Sequence, residues 1–390
     1  MTHQAVRHDV MRARNLAVVL GEIDRAGPLS RAALAERTGL TKTTVSKLVG
    51  DLIAGGMVVE TGAVRDGERG RPGVAVRVHG GRIAALGLEI NIDYLAGCVV
   101  DLTRTVRLRR RVPADNRTAS PAETIARLGE LGTALVREAA GLGLAVTAAQ
   151  LAVPGPFDPS SAVVRHAPNL GWRDVPVTEL LDVPVPVRVD NEANLAALGE
   201  LWFGAGAALG DFLHVSGEIG IGAGVVVGGR LFRGAHGFAG EFGHVVVVPD
   251  GVPCRCGGRG CLERYAGQDV LLGAAPDLAA LRDRLAVGDP RATAACRAAG
   301  EALGVALTSA VHLLDPDTIV LGGVFAALFT WLRDPVAETM TSRLTRMRGV
   351  VPRLTRSQAG PDAATLGAAG SVIMRIIADP AAFLAEALPA

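Results

Sequence analysis

Lysine is almost missing from this chain. Its 390 residues hold two, Lys42 and Lys47, both within one short helix-like segment. The charges nevertheless balance, 40 Lys+Arg against 39 Asp+Glu, for a formal net charge of +1. So even a balance excludes a protein coated with nucleic acid over its whole surface. Long apolar runs are lacking too. The longest uncharged stretch, residues 139–157, is Gly-rich and interrupted by Thr147, Gln150, Pro154 and Pro156; a spanning helix needs about 20 predominantly apolar residues. His3, Arg7, His8 and Asp9 leave no apolar signal-peptide core at the start. Cysteines number five, an odd count, and three of them crowd into eight residues. In a large chain without a signal, that pattern favours a metal site over disulfides. These absences point to a soluble, cytoplasmic protein. With 49% hydrophobic and 20% charged residues the chain is too apolar for disorder, and its length suggests two or three domains.

The overall balance hides a local bias. Residues 1–80 carry 12 Lys+Arg against 8 Asp+Glu, which leaves 28 against 31 for residues 81–390. Leu16, Val19, Leu20 and Ile23 form the apolar stripe of a first helix. Ser30 can cap a second helix ending at Gly39, and Thr41 a third whose Val45, Leu48, Val49 and Leu52 face inward. That leaves Lys42, Thr43, Thr44, Ser46 and Lys47 on or near the open face. Extended runs at 57–61 and 74–78 flank a polar tip, 65–73, that contains Arg69-Gly70-Arg71-Pro72. Helix, glycine turn, polar-faced helix and basic hairpin together describe a winged helix-turn-helix reading DNA. Lys42, Thr43, Thr44, Ser46 and Lys47 would meet base edges and phosphates, and Arg69 and Arg71 a narrow minor groove. Arg12 and Arg14 are weaker candidates on a helix start. The competing reading, a helical dimerisation module with a solvated face, leaves the placement of both lysines and the Arg-Gly-Arg-Pro tip unexplained.

From Gly80 onward strands alternate with helices, an α/β texture. Residues 83–90 and 95–102 read as paired strands. Ser120-Pro121-Ala122-Glu123 combines a cap, an N1 proline and an N3 acid ahead of Ile125, Leu128, Leu131 and Leu135. A second strand-turn-strand, 212–227, repeats the layout and suggests two related lobes. A long helix at 292–314 leads to a strand at 318–321, and residues 365–378 form an amphipathic helix expected to pack back on the first lobe.

His244, Cys254, Cys256 and Cys261 give H-x9-C-x-C-x4-C, four ligands in 18 residues, suited to a closed tetrahedral Zn²⁺ of structural role. Gly257, Gly258 and Gly260 allow the backbone to wrap the ion. Cys98 and Cys296 read as ordinary buried thiols. Glu241-Phe242-Gly243-His244 and Leu262-Glu263 flank the cysteines, so a bound metal would fix two carboxylates and an imidazole as hydrogen-bonding groups for a polyhydroxylated ligand. Alternatively, Glu241 and Glu263 support the metal's own ligands.

With these residues the chain resembles the ROK family (repressors, open reading frames and sugar kinases), and among its regulators the xylose-repressor-like members. The resemblance spans residues 10–375 and rests on Glu241 to His244, the cysteine knot with Glu263, Pro154-Gly155-Pro156, Pro168-Asn169-Leu170-Gly171-Trp172 and Asp190-Asn191-Glu192-Ala193-Asn194. It implies an α/β, actin-like and ribonuclease-H-like two-lobed domain at 81–390, preceded by the winged helix at 1–80. Lobe one would cover about 81–190 with the C-terminal helix 365–390, and lobe two about 191–364 with the knot at 244–261. It further implies homodimers or tetramers, operator DNA as partner, and a monosaccharide held by Gly155, Asn169, Asn191, Glu192, Glu241, His244 and Glu263. His244 would then serve both zinc and sugar.

Departures from the kinase pattern point away from an enzyme. Kinase members carry Asp-x-Gly-Gly-Thr where this chain has Glu89-Ile90-Asn91-Ile92-Asp93, and Gly-Thr-Gly-Ile-Gly where it has Glu218-Ile219-Gly220-Ile221-Gly222. The first substitution puts bulky Ile92 where backbone must approach phosphate; the second exchanges a hydroxyl for a carboxylate. Glu192 replaces the catalytic Asp of Asn-Asp-Ala-Asn. Gly322-Gly323 resembles the adenosine-side turn. The expectation is a sugar-released repressor; the alternative is a sugar kinase with an appended DNA-binding head.

Overall fold

Four apolar residues at i, i+3, i+4 and i+7 behave as their spacing predicts: Leu16, Val19, Leu20 and Ile23 are buried along one face of α1 (His8–Ala26). The structure, a computed structural model, describes residues 8–387 apart from 65–72, 159–160, 219 and 274. A two-residue strand, β1 (Leu29–Ser30), enters α2 (Arg31–Thr38). There Ser30 Oγ accepts from Ala33 N at 3.1 Å, and Gly39 closes the helix at φ +71°. Thr41 Oγ1 accepts from Thr44 N at 3.2 Å and starts α3 (Lys42–Ala54). Val45, Leu48, Val49 and Leu52 turn inward; Lys42, Thr43, Ser46 and Lys47 are exposed. Strands β2 (Val58–Val64) and β3 (Gly73–Val78) pair antiparallel, and β1 adds to the other side of β3. That third strand was not apparent from the two extended runs.

The next strands are β4 (Ile83–Ile90), β5 (Tyr94–Asp101) and β6 (Val106–Pro113). Helix α4 (Pro121–Gly141) opens with the expected capping box: Glu123 N donates to Ser120 Oγ at 3.2 Å and Ser120 N to Glu123 Oε2 at 2.9 Å. After β7 (Ala145–Val153) comes a small separate sheet of β8 (Phe157–Asp158), β9 (Val163–Ala167) and β10 (Trp172–Pro176). Helix α5 (Val177–Leu180), β11 (Val187–Asn191) and α6 (Glu192–Phe203) follow. The second half runs β12 (Phe212–Gly217), β13 (Ile221–Val227), β14 (Arg230–Phe232), α7 (Glu263–Ala266), α8 (Gln268–Leu272), α9 (Leu278–Ala286) and α10 (Pro290–Leu314). It ends with β15 (Thr318–Gly322), α11 (Gly323–Ala327), α12 (Phe329–Arg348), β16 (Arg353–Arg356), α13 (Ala363–Ala378) and α14 (Pro380–Ala387).

The two large sheets are ordered β6-β5-β4-β7-β11 and β14-β13-β12-β15-β16. In each, the first three strands pair antiparallel and the last two join in parallel. The repeat that the residues only hinted at is therefore explicit in the topology.

Helix α13 does more than pack back on the first lobe. It lies between β4 and α6, so close that a Cβ on Gly367 would stand 1.8 Å from Leu195 O, and one on Gly87 2.1 Å from Thr365 O. Its far end, Val372, Ile373, Ile376 and Ile377, shares one apolar core with Leu16, Leu20, Val49 and Leu52 of the head. Asp24 of α1 also pairs at 3.0 Å with Arg104 of the β5–β6 turn. Head and first lobe are packed together through apolar surface, the strongest non-directional term available to them.

Candidate functional site

All seven residues expected to bind sugar line one cavity of about 310 Å³ between the lobes, within the size range of small-molecule sites, about 300–1,000 Å³. Asn191 is placed by being the N-cap of α6: its Oδ1 accepts from Ala193 N at 2.9 Å and Asn194 N at 3.3 Å, while its Nδ2 donates to Gly155 O at 3.2 Å. Gly155 sits at φ +82°, where a Cβ would meet His166 O at 2.4 Å, so only glycine fits. Glu263 Oε2 accepts from Ile221 N at 3.2 Å. Asp190, one residue before Asn191, is held by Arg233 Nη1 at 2.9 Å, a tie from the end of β11 to the segment after β14. Asn91, His166, Phe238 and Arg255 also line the cavity. Sequence reasoning passed over these four, although Arg255 stands between two of the flagged cysteines.

Beside the cavity, ligand atoms of His244, Cys254, Cys256 and Cys261 lie within 4.8 Å of one another. Cys256 Sγ is 3.7 Å from Cys261 Sγ, and Cys254 Sγ is 3.8 Å from His244 Nδ1. Metal–sulfur bonds of about 2.3 Å at tetrahedral angles give edges of roughly 3.8 Å, so the donors fit one ion. Because Nδ1 faces the thiols, Nε2 is the imidazole atom left for a ligand in the cavity. Of the three glycines expected to wrap the ion, Gly257 and Gly260 take positive φ, +92° and +72°, and Val248 O stands 1.7 Å from a would-be Cβ on Gly260. Cys98 and Cys296 are buried and apart from this cluster.

Glu89 and Glu218, from the two turns compared above with the kinase pattern, face one small space. A second cavity, about 30 Å³, is lined by Glu89, Glu192 and Glu218 together with His214 and Gly322-Gly323. Glu192 and Glu218 line both cavities. Glu89 is 3% exposed; Tyr94 Oη donates to its Oε1 at 2.7 Å, and its Oε2 has no partner among the described residues. Arg111 stacks 3.9 Å over the Tyr94 ring and donates to Asp362 Oδ1 at 3.1 Å. Ile92 is buried in the core. Burial pushes Glu89 and Glu218 up to about 7, and burial with its two acidic neighbours pushes Glu192 well above the carboxylate range. Burial also lowers His214 to about 4, and neither of its ring nitrogens has a partner among the described residues.

A carboxyl whose folded pKa lies above its unfolded value makes folding less stable as pH rises from about 4.5 to about 7, with no further loss above that. For Glu89 the full effect is about 3 kcal/mol, of which an unpartnered amide would take back roughly 1–2 kcal/mol. Glu89→Gln should therefore be more stable than the unaltered chain by about 1–2 kcal/mol at pH 8 and less stable by about 1 kcal/mol near pH 4.5, where only the cost of the amide remains. Urea unfolding at the two pH values reads this directly, and a pH-independent difference would contradict it.

In the head, Lys42, Thr43, Ser46 and Lys47 form an exposed face of α3, with Thr44 half-buried beside them. Arg12 is engaged with Asp51 at 2.8 Å, fixing α1 against α3. Arg69 and Arg71, expected at the wing tip, lie outside the described residues. Among the described residues no helix is long and apolar enough to cross a membrane.

A family model described as the ROK family matches residues 85–374, and one described as the MarR family matches residues 17–69. The chain belongs to the ROK family. Among ROK relatives, a xylose repressor of Bacillus spizizenii is 30% identical over 92% of this chain and 94% of its own. The solved structure of a ROK family transcriptional regulator, a homologue of the Escherichia coli Mlc protein, covers 97% of this chain and 98% of its own with a TM-score of 0.78; at 24% identity this likeness concerns the fold. A ROK hexokinase from Thermus thermophilus is 31% identical, with a TM-score of 0.64, but covers only 75% of this chain against 99% of its own. The repressor's likeness runs almost the whole length, and the kinase's covers three quarters.

Proposed function

We propose that this ROK protein is a sugar-responsive transcriptional repressor, released from its operator by a free monosaccharide. The observation that carries the reading is the course of α13. Its first residues, Ala363 and Ala364, border the carboxylate-lined cavity, and its last turns share a core with α1 and α3. Sugar held by Gly155, Asn169, Asn191, Glu192, Glu241, His244 and Glu263 would change the closure of the two lobes. Helix α13, wedged between them, would carry that change to the heads. The ligand shifts the equilibrium only by its differential affinity for the two states.

Two heads of a homodimer, alone or within a tetramer, would read a pseudo-palindromic, A·T-rich operator in the cytoplasm. Lys42, Thr43, Thr44, Ser46 and Lys47 would enter the major groove, with Arg69 and Arg71 at the minor groove. Zn²⁺ on His244, Cys254, Cys256 and Cys261 would be structural, since four protein ligands leave no open position. The protein would not be a kinase, because Glu89 and Glu218 fill the turns that the resemblance assigns to ATP phosphates, taking the space there and supplying neither the hydroxyl nor the open backbone cradle that phosphate needs. Turnover at ordinary rates in a coupled ADP-release assay would overturn that part.

Glu241→Gln and Glu263→Gln separate the two functions. Each removes a charge-assisted hydrogen bond worth about 1–2 kcal/mol, so the sugar concentration for half-release should rise roughly ten-fold. Affinity for DNA without sugar should stay the same. Equal losses in both would argue against a separate pocket.

A further inference from the structure

We infer that Arg255 is a positioning residue of the sugar cavity, which orients the amide of Asn169 so that its donor end faces the ligand. This rests on the sugar-binding reading above. Arg255 lies between Cys254 and Cys256, both in the metal cluster, so its backbone is pinned on either side by the groups that would hold the ion. The residue is exposed, yet it lines the cavity, and its Nη1 donates to Asn169 Oδ1 at 3.0 Å.

Asn169 comes from the opposite lobe, on the loop between β9 and β10. Its backbone is fixed by Leu170 and Trp172, both buried, by Leu170 N donating to Ala167 O at 3.0 Å, and by Gly171 at φ +69°. The side-chain amide is a different matter. Its one hydrogen bond among the described residues is the one to Arg255. A primary amide turned by half a rotation exchanges a two-hydrogen donor for an acceptor while occupying the same space. Arginine has no acceptor, so its guanidinium can engage only Oδ1. With Oδ1 capped at the mouth, Nδ2 is directed the other way. It reaches within 3.5 Å of the point where a Cβ on Gly220 would sit, a point itself 2.7 Å from Glu263 Oε2. The ligand thus meets an N–H donor from lobe one next to a carboxylate acceptor from lobe two. A sugar hydroxyl, both acceptor and donor, satisfies that pair at once.

The hydrogen bond also spans the cleft, from the metal knot of one lobe to the small sheet of the other. A loaded knot therefore sets the ligand-facing chemistry of a residue it does not touch covalently.

The test uses the full-length, zinc-loaded protein with D-xylose and D-glucose as probes, by isothermal titration, together with zinc content, thermal midpoint and DNA affinity without sugar. Arg255→Ala should weaken the tighter-binding probe about ten-fold, the usual consequence of losing one directed polar contact, and leave the other three readouts unchanged. Arg255→Lys, which can still donate to Oδ1, should recover most of the affinity. Asn169→Ala should weaken binding too, and Arg255→Ala added to it should cost nothing further, since the arginine then has no amide to orient. Undiminished affinity in Arg255→Ala would overturn this inference alone, as would a full additional loss in the double variant. Failure of the unaltered protein to bind either sugar would overturn it together with the assignment of the cavity.

Discussion

Replacing Cys254 by serine should abolish the sugar response while leaving a folded head that still binds DNA. Structural zinc in small sites contributes about 10–16 kcal/mol in peptide systems, comparable to or above the whole stability of a typical domain, about 5–15 kcal/mol. Without it, nothing apolar replaces the ion: Cys254 N to Gly258 O at 2.8 Å and Gly260 N to Val252 O at 2.9 Å are the turns it would hold closed. His244, Arg255, Cys256 and Glu263 all line the cavity, so a loosened knot dismantles that wall. The head is insulated from the loss, because its core is built with β4, β5 and α13 and contains no knot residue. Metal analysis should give one zinc per unaltered chain and little or none in Cys254→Ser. Retained zinc with an unchanged thermal midpoint would contradict the ligand assignment.

Gly367→Ala should be among the most damaging single methyls in the molecule. Its Cβ would fall 1.8 Å from Leu195 O, 2.7 Å from Gly199 N and 2.7 Å from Leu195 C, all backbone atoms that no rotamer change can move. Overpacking of this kind costs 1–3 kcal/mol where side chains can yield, and about 4–5 kcal/mol or more where backbones must separate. Loss of folded protein, or a thermal midpoint lowered by more than about 10 °C, is expected. Gly21→Ala in α1 is the counterpart. A Cβ there meets nothing within 4 Å, so the change should stabilise by about 0.5–1 kcal/mol from helix propensity. Equal stabilities for the two variants would mean that α13 does not pack as described.

The contrast between those glycines shows where reading the chain alone stops. Helix starts were legible because a cap is a local device: Ser30, Thr41 and Ser120 each bond a backbone N–H three residues on. The knot was legible because its four ligands fall within 18 residues. So were the seven cavity residues, once the resemblance supplied their roles, and all line one space. Long-range arrangements were not. The period of α13 announces a buried face but not that the face divides between β4, α6 and the head. Gly367 and Gly370 look like helix weakeners until Leu195 and Trp202 are seen against them. The network of Glu89, Tyr94, Arg111 and Asp362 joins residues up to 273 positions apart, and apart from Glu89 none of its members carries a local signature. The short strands β1 and β8 have two residues each, too few for any alternation to register.

Fluorescence anisotropy of the purified protein on its own upstream DNA, at one stated salt concentration and with a panel of free monosaccharides, tests the central claim most directly. The account predicts tight binding that one sugar reverses, with half-release moved to higher concentration by Glu241→Gln. A complex that no free monosaccharide disturbs, even at concentrations that saturate the cavity, would contradict it.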